Sequence, residues 1–179
     1  PIFHEFDKEA IFSQTWQHIG PSSGVEQPGD QLVSTVAGNP IIAVRDQERH
    51  RRAFYNVCRH RGGPIALRDC NTKILKCKYH GWTYLLDGSL RGTPRFDRTE
   101  LFDKKDYGLV PIRLDAWERM LFVNLSENGQ QLASLFRGIK ERISPIALST
   151  KKFARRITYE VHANWKVYVD NYLEGYHLP

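Results

Sequence analysis

Hydrophobic and polar residues alternate in short runs over much of the chain, and glycine or proline interrupts these runs at short intervals. Alternation with a period of two places every second side chain on one face of a half-buried strand. We therefore predict strands at 31–37, 41–45, 52–57, 109–114 and 120–125. Gly38-Asn39-Pro40 is predicted to join the first two as a hairpin, and Asp87-Gly88 to form another turn. The pattern predicts a mainly β fold of small antiparallel sheets.

Apolar residues recur at helical spacing in two further segments. The segment 4–19 is predicted to be a helix that ends at Gly20-Pro21, and 131–143 is predicted to be a second helix that ends at Ser144-Pro145. Between 151 and 161 the pattern alternates in part, which predicts one more strand. A last helix is predicted at 164–177, because Asn164 is a good N-cap residue.

The composition is that of an ordinary globular protein. Of the 179 residues, 41% are hydrophobic and 26% are charged, and a chain of this length buries enough surface for one domain and part of another. The longest aliphatic run, at 41–44, is too short to span a bilayer, and Pro1 opens no signal-peptide pattern. We therefore expect a soluble, cytoplasmic protein that does not associate with membranes.

The formal net charge is +6 at pH 7. One group of basic side chains falls within a single predicted turn and comprises Arg45, Arg49, His50, Arg51 and Arg52. Another group surrounds the segment 58–82 and comprises Arg59, Arg61, Arg68, Lys73, Lys76 and Lys78. Two interpretations stay open, a solvated basic surface and a docking face for an acidic electron donor. Nucleic-acid binding is not expected, because no nucleic-acid-binding motif accompanies the charge.

Cysteine and histidine are concentrated in one stretch, as Cys58-x-His60 and, 16 residues later, Cys77-x-x-His80. Zinc sites of two cysteines and two histidines pair Cys with Cys and His with His, whereas the order here is Cys, His, Cys, His. A Rieske 2Fe-2S centre needs this mixed order, since each of two loops then supplies one ligand to each iron. The third cysteine, Cys70, has no evident disulfide partner, which suits a reducing compartment.

The segment resembles the cluster motif of Rieske non-haem iron oxygenase alpha subunits, the ring-hydroxylating family, and the following Gly81-Trp82-Thr83-Tyr84 and Asp87-Gly88-Ser89-Leu90 are also similar to that family. The resemblance implies a Rieske iron-sulfur fold. The 2Fe-2S cluster is expected to have one iron on Cys58 and Cys77 and the other on His60 and His80. Glycines beside the ligands, Gly62, Gly63 and Gly81, are expected to let the backbone approach the inorganic sulfurs.

The last predicted helix carries a second group of polar side chains. Glu174 follows Asp170 by four residues and Asn171 by three, and it precedes His177 by three, so that a helix would place these side chains on one face. The stretch that begins Asn164-Trp165-Lys166 resembles the start of the oxygenase catalytic helix. The resemblance implies that His177 is the first ligand of a mononuclear Fe(II) site of two histidines and one carboxylate. It also implies that Glu174 is the carboxylate linking this site to a neighbouring subunit's cluster, with Asn171 near the iron.

Most family members have Asp at the position of Glu174, and Glu occurs in some that act on quaternary ammonium substrates such as carnitine.

The chain is interpreted as an N-terminal helix at 1–19, a Rieske domain at 20–126, and the first strand and helix of an α+β catalytic domain at 127–179.

The resemblance implies an oxygenase that activates O2 for aromatic ring hydroxylation or oxidative N-demethylation. It is expected to receive electrons from a ferredoxin or a flavin-dependent reductase and to assemble as a homotrimer or hetero-oligomer, while this part alone is expected only to transfer electrons. The alternative is a stand-alone Rieske ferredoxin, an electron carrier.

Overall fold

The computed structural model describes residues 2–96 and 99–176, and most of its regular structure is antiparallel β-sheet. The longer strands are β1 (Gln17–Pro21), β2 (Asp30–Val36), β3 (Asn39–Arg45), β4 (Arg51–Tyr55), β9 (Pro111–Trp117) and β10 (Met120–Asn124). The shorter strands are β5 (Cys70–Asn71), β6 (Leu75–Lys76), β7 (Thr83–Tyr84) and β8 (Leu90–Gly92). All five longer strands predicted from alternation are present, with bounds displaced by up to three residues.

The strands form two sheets within the described residues. The larger sheet has the order β1-β10-β9-β4-β3-β2-β5, and the smaller sheet has the order β6-β7-β8. One hydrophobic core lies within the larger sheet, around Ile41, Leu121 and Val123. The other core joins the two sheets and contains both Cys58 and Cys77. The predicted mainly β architecture is therefore confirmed, and the cysteine-containing loops are built into the second core.

The predicted N-terminal helix at 4–19 is too long. Helix α1 spans Ile2–Asp7 and continues as one π-helical segment, Lys8–Phe12. The residues that follow form β1, in which His18 pairs with Phe122 of β10 and Ile19 is buried. Pairing with a distant strand outweighs the local helical pattern here, because strand formation depends more on tertiary packing than on local propensity.

The predicted turn at Gly38-Asn39-Pro40 is displaced by one residue. The turn residues are Ala37 and Gly38, with φ values of 50° and 81°, and Val36 pairs with Asn39 across the hairpin. Two successive positive φ values are the signature of a type I′ turn, whose twist matches that of the flanking strands. Pro40 consequently lies inside β3, opposite Thr35.

The remaining helices are short. The predicted helix at 131–143 is divided into α2 (Leu132–Leu135) and α3 (Ile139–Ile143) by Gly138, which has a φ of 79°. Single 3-10 turns lie at Ser22–Val25, Lys104–Tyr107, Ser144–Ile146 and Leu148–Thr150, and α4 spans Trp165–Leu173. No helix in the described part of the chain has the length and apolar character needed to cross a membrane.

The predicted strand at 151–161 is not formed. The segment has no regular secondary structure and its side chains are exposed. No described strand pairs with it, and an alternating sequence alone cannot form a strand because its backbone groups need a hydrogen-bonded neighbour.

Candidate metal centre

Two loops of the same hydrogen-bonded design carry the four predicted cluster ligands. In the first, the N–H of Cys58 donates to the carbonyl of Gly63 (2.8 Å) and the carbonyl of Cys58 accepts from the N–H of Gly62 (3.0 Å). In the second, Cys77 makes the equivalent bonds with Trp82 (2.9 Å) and Gly81 (3.1 Å). Each cysteine is therefore held by residues four and five positions further along the chain.

Glycine is required in both loops, for two different reasons. Gly62 and Gly81 occupy the same position of their loops with φ values of 70° and 76°, in the left-handed region that other residues adopt only at a cost. Gly63 is needed for space, because a Cβ there would lie 3.0 Å from Sγ of Cys77 and 2.9 Å from Cβ of Tyr79. Two of the three glycines beside the ligands thus supply a left-handed backbone, and the third supplies space.

The side chain of Asn56 stabilises the first loop through hydrogen bonds. Its side chain is buried, its Oδ1 accepts from the N–H groups of Ile65 and Ala66, and its Nδ2 donates to the carbonyl of Ala66 at 2.7 Å. Three hydrogen bonds from one buried amide fix the return of the loop to the core. This role could not be predicted from the sequence, since a lone asparagine before a cysteine has no distinctive signature.

The two cysteine sulfurs lie on the inner side of the site. Cys58 and Cys77 are buried at 3% and 2% exposure. The hydroxyl of Tyr84 lies 3.2 Å from Sγ of Cys58 and accepts a hydrogen bond from the N–H of Arg59. Burial raises the pKa of the Cys58 thiol, although the hydrogen bonds from Tyr84 and the His60 amide oppose this. A buried thiolate pair therefore needs positive charge beside it, which a metal ion supplies.

The two histidines lie on the outer side, where His60 is half-buried and His80 is exposed. Their ring centroids are 4.7 Å apart, and the ring of His60 stacks on that of Trp82 at 4.8 Å. Burial, together with the charges of His80 and Arg61, lowers the pKa of His60. Its imidazole is therefore neutral at pH 7, which is the form that binds metals.

His60 also carries one of the few buried polar atoms in the described chain that have no hydrogen-bond partner, its Nδ1. Since buried polar atoms are nearly always paired, this nitrogen is a strong candidate for a metal ligand. An open cavity of about 520 Å³ adjoins it, lined by His60, His80 and Trp82 among others.

The geometry distinguishes one metal ion from two. A structural zinc site packs four ligands around one ion. Within residues 2–96 and 99–176, no three of the four predicted ligands bring their ligand atoms within 4.8 Å of one another. Two buried sulfurs on one side and two imidazoles on the other fit a centre of two metal ions, each held by one pair.

The C-terminal site residues lie on or beside α4. The side chain of Asn164 accepts from the N–H of Lys166, so the predicted N-cap is confirmed. Asn171 lies within the helix, but Glu174 is its extended C-cap residue, and the predicted continuation of the helix to 177 is wrong. His177 lies outside the described residues. The single helix face expected to carry Asp170, Glu174 and His177 is therefore interrupted at Glu174.

The first turn of α4 is fastened to the N-terminal helix. The buried carboxylate of Asp7 accepts from Nε1 of Trp165 (2.9 Å) and from Nζ of Lys166 (2.7 Å). These two hydrogen bonds lower the pKa of Asp7. The ring of Phe12 packs edge-on against Trp165 at 5.0 Å. The role of Asp7 could not be predicted from the sequence, because a contact between positions 7 and 166 has no local signal.

Comparison with known families matches two parts of the chain. Residues 15–108 match the model of the Rieske [2Fe-2S] domain, and residues 148–179 match that of the ring hydroxylating alpha subunit (catalytic domain).

Similar proteins include the carnitine monooxygenase oxygenase subunit of Acinetobacter baumannii, 39% identical over 97% of this chain and 47% of that protein. The glycine betaine monooxygenase oxygenase subunit of Pseudomonas aeruginosa is 34% identical over 97% of this chain and 40% of that protein. The crystal structure of the quaternary ammonium Rieske monooxygenase CntA with L-carnitine matches with a TM-score of 0.90 and 37% identity, over 97% of this chain and 50% of that one. The chain thus spans about half the length of the relatives it matches.

Proposed function

Because this chain belongs to the Rieske [2Fe-2S] domain family in the form found in oxygenase subunits, we propose that it delivers electrons to oxygen-activating chemistry in a longer protein. Cys58 and Cys77 would hold the inner iron, and His60 and His80 the outer iron. The observation that carries this proposal is the pair of matched loops, with buried sulfurs on one side and, on the other, a His60 Nδ1 that no described residue hydrogen-bonds.

A Rieske cluster, when bound, supplies one-electron transfer. The residues of this chain determine on which side of the cluster electrons are exchanged. The sulfurs are sealed within the core, whereas His80 is exposed beside an open cavity. Electrons therefore enter and leave on the histidine side. Arg59, Arg61 and Lys78 are exposed near the ligands, which favours an acidic ferredoxin or a flavin-dependent reductase as donor.

The whole protein would oxidise a quaternary ammonium compound, by an N-demethylation-type reaction rather than aromatic ring hydroxylation. Relatives are named for carnitine, glycine betaine and choline, whereas the naphthalene dioxygenase structures match with lower TM-scores of 0.71 and 0.76. Glu174 supports this assignment, because the resemblance associates Glu at this position with such substrates.

The match to the catalytic domain at 148–179 favours the oxygenase over a stand-alone ferredoxin. We place the Rieske domain at 20–126 and the start of the catalytic domain at 127. His177 would bind mononuclear Fe(II), with Asn171 near it and Glu174 linking it to a neighbouring subunit's cluster in a homotrimer or hetero-oligomer. Cys70 is exposed and free, which suits the cytoplasm, where thiols stay reduced.

Serine substitutions at Cys77 and at Cys70 test the ligand assignment. Cys77→Ser removes one proposed thiolate and should abolish the cluster. Cys70→Ser is the matched control and should leave it intact. Iron and acid-labile sulfide per chain, together with the EPR spectrum of the reduced protein, measure the cluster. The reverse pattern, or one zinc ion per wild-type chain, would overturn the assignment.

The substrate assignment is tested separately on the full-length protein with an electron donor. Substrate-dependent oxygen consumption is expected with carnitine, glycine betaine or choline and not with naphthalene. Consumption with naphthalene alone would refute the substrate class while leaving the cluster assignment unaffected.

A further inference from the structure

Several basic side chains lie in and beside the turn between β3 and β4. This turn is at the start of β4, whereas the loop that begins at Cys58 follows the end of β4. Arg45 and Arg51 lie directly across from each other in the antiparallel pair of strands. Like charges in this arrangement destabilise a sheet. Burial and the neighbouring charge of Arg45 lower the pKa of Arg51, against the opposite effect of Glu26. This arrangement is unfavourable unless something negative lies beside it.

Among the described residues no carboxylate pairs with these arginines, although Glu26 is near enough to Arg51 to oppose the lowering of its pKa. Arg45, Arg49 and Arg51 form no ion pair with a carboxylate there, and Nε of Arg45 is buried without an acceptor. The carboxylate of Asp46 is occupied by Nε of Arg52 at 2.7 Å. The acidic side chains of the turn, Asp46 and Glu48, therefore pair with Arg52 and His50 and not with these three guanidinium groups.

The backbone of the turn is also held in an unusual conformation. The N–H of Arg49 donates to the carbonyl of Asp46, and Arg49 has a φ of 65°. This left-handed conformation favours glycine or asparagine and is uncommon for a long side chain. Left-handed residues of other types occur preferentially at functional sites.

A cavity of about 320 Å³ adjoins the turn. Its lining comprises Arg45, Arg49, His50 and Arg51 from the turn and Leu114, Asp115 and Ala116 from β9. The volume is that of about ten water molecules, enough for a small anion. Asp115 is the one carboxylate among the lining residues that the structure describes, and its single negative charge is outnumbered by the three arginines. Guanidinium groups bind the paired oxygens of carboxylate and phosphate particularly well.

We propose that this turn is a binding site for a small oxyanion with at least two negative charges, whether a phosphate or a polycarboxylate. Arg45, Arg49 and Arg51 bind its oxygens, and Nε of Arg45 gains the acceptor that it lacks. The site lies apart from the metal loops and acts independently of the proposed electron transfer.

The experiment titrates the cluster-loaded protein with inorganic phosphate, and with sodium chloride at matched ionic strength and pH. NMR resonances of the arginine Nε–H groups report binding. Saturable shifts are expected with phosphate and not with chloride. Citrate in place of phosphate distinguishes the two ligand classes by its relative affinity. Equal shifts with chloride would refute the site.

Two variants test the roles of the arginines. Arg51→Gln should weaken phosphate binding about tenfold, the effect of losing one charge-assisted hydrogen bond. The control Arg142→Gln, at an exposed position in α3, should leave the affinity unchanged. Arg49→Asn should weaken binding about tenfold while raising the thermal midpoint without phosphate, since asparagine tolerates the left-handed backbone. Unchanged affinity in Arg49→Asn, or equal losses in Arg51→Gln and Arg142→Gln, would overturn the proposal.

Discussion

Replacing Tyr84 by phenylalanine tests how the protein adjusts the reduction potential of the proposed cluster. The hydroxyl lies 3.2 Å from Sγ of Cys58 in a fully buried position. A cysteine bound to iron is a thiolate without a proton, so the hydroxyl must donate. Burial raises the pKa of Tyr84, which keeps that proton in place at neutral pH.

The size of the effect follows from the charge on the sulfur. A hydrogen bond to a charged group is worth about 1.5–3 kcal/mol and one to a neutral group about 0.5–1.5 kcal/mol. Reduction adds negative charge to the cluster, and we therefore take the bond to strengthen by about 1 kcal/mol. Since 1.36 kcal/mol corresponds to a factor of ten, and to 59 mV for one electron, Tyr84→Phe should lower the potential by about 40 mV.

The assay is a potentiometric titration followed by EPR. The control is Tyr55→Phe, because Tyr55 packs against the core of the larger sheet, whereas both cysteines belong to the other core. A potential that stays within 10 mV of the wild type, or one that rises, would refute the reasoning. An equal fall in Tyr55→Phe would show that the shift arises from general loosening of the protein.

Three further substitutions test the loops and their supports. Gly63→Ala places a methyl group 3.0 Å from the second-loop cysteine sulfur, so it should cost about 1–3 kcal/mol of stability and lower the iron content. Asp46→Asn should lower the free energy of unfolding by about 2 kcal/mol at pH 7. It should also make the loss of stability on acidification smaller than in the wild type. Burial alone would raise the pKa of Asp46, but hydrogen bonds, the strongest from Arg52, lower it. The stability that the Asp46 carboxylate contributes is thus fully present above about pH 4 and is lost as the pH falls through the lowered pKa. Asp7→Ala should speed hydrogen exchange in the first turn of α4 without affecting the cluster.

For each of these three substitutions, one result would contradict the expected effect. The control for Gly63 is Gly175→Ala, where a Cβ would meet no atom of the described residues within 4 Å, and equal losses of iron in the two variants would exclude steric contact as the cause. For Asp46, urea unfolding curves from pH 3 to 7 that are parallel in variant and wild type would disprove the linkage. Unchanged exchange at 165–168 in Asp7→Ala would show that other contacts hold the helix.

The chemistry of the centre was predictable because it resides in residue types and their local spacing. The order Cys, His, Cys, His distinguishes a mixed-ligand centre from a zinc finger before any coordinates are known. Glycine four positions after each cysteine has a local meaning too, since Gly62 and Gly81 supply left-handed backbone to their own loops. Alternation predicted five of the six longer strands for the same reason, as a period of two is a property of neighbouring residues.

The residues that support the centre were not predictable in this way. Asn56, Tyr84 and Asp7 act through hydrogen bonds to residues 9–159 positions distant. Nothing in their immediate sequence separates them from any other polar residue. The same limit explains the strand at 17–21, where pairing with β10 overrode a helical pattern, and the absence of a strand at 151–161.

The sequence by itself therefore determined which atoms can bind metal and which backbone positions need glycine, because these depend on covalent chemistry and local sterics. Only the tertiary structure decided how those atoms are arranged. It buried the sulfurs beside Tyr84, left His80 at the surface and placed Nδ1 of His60 where no described residue forms a hydrogen bond with it. Burial and long-range pairing arise when distant segments pack together, and no local pattern encodes them.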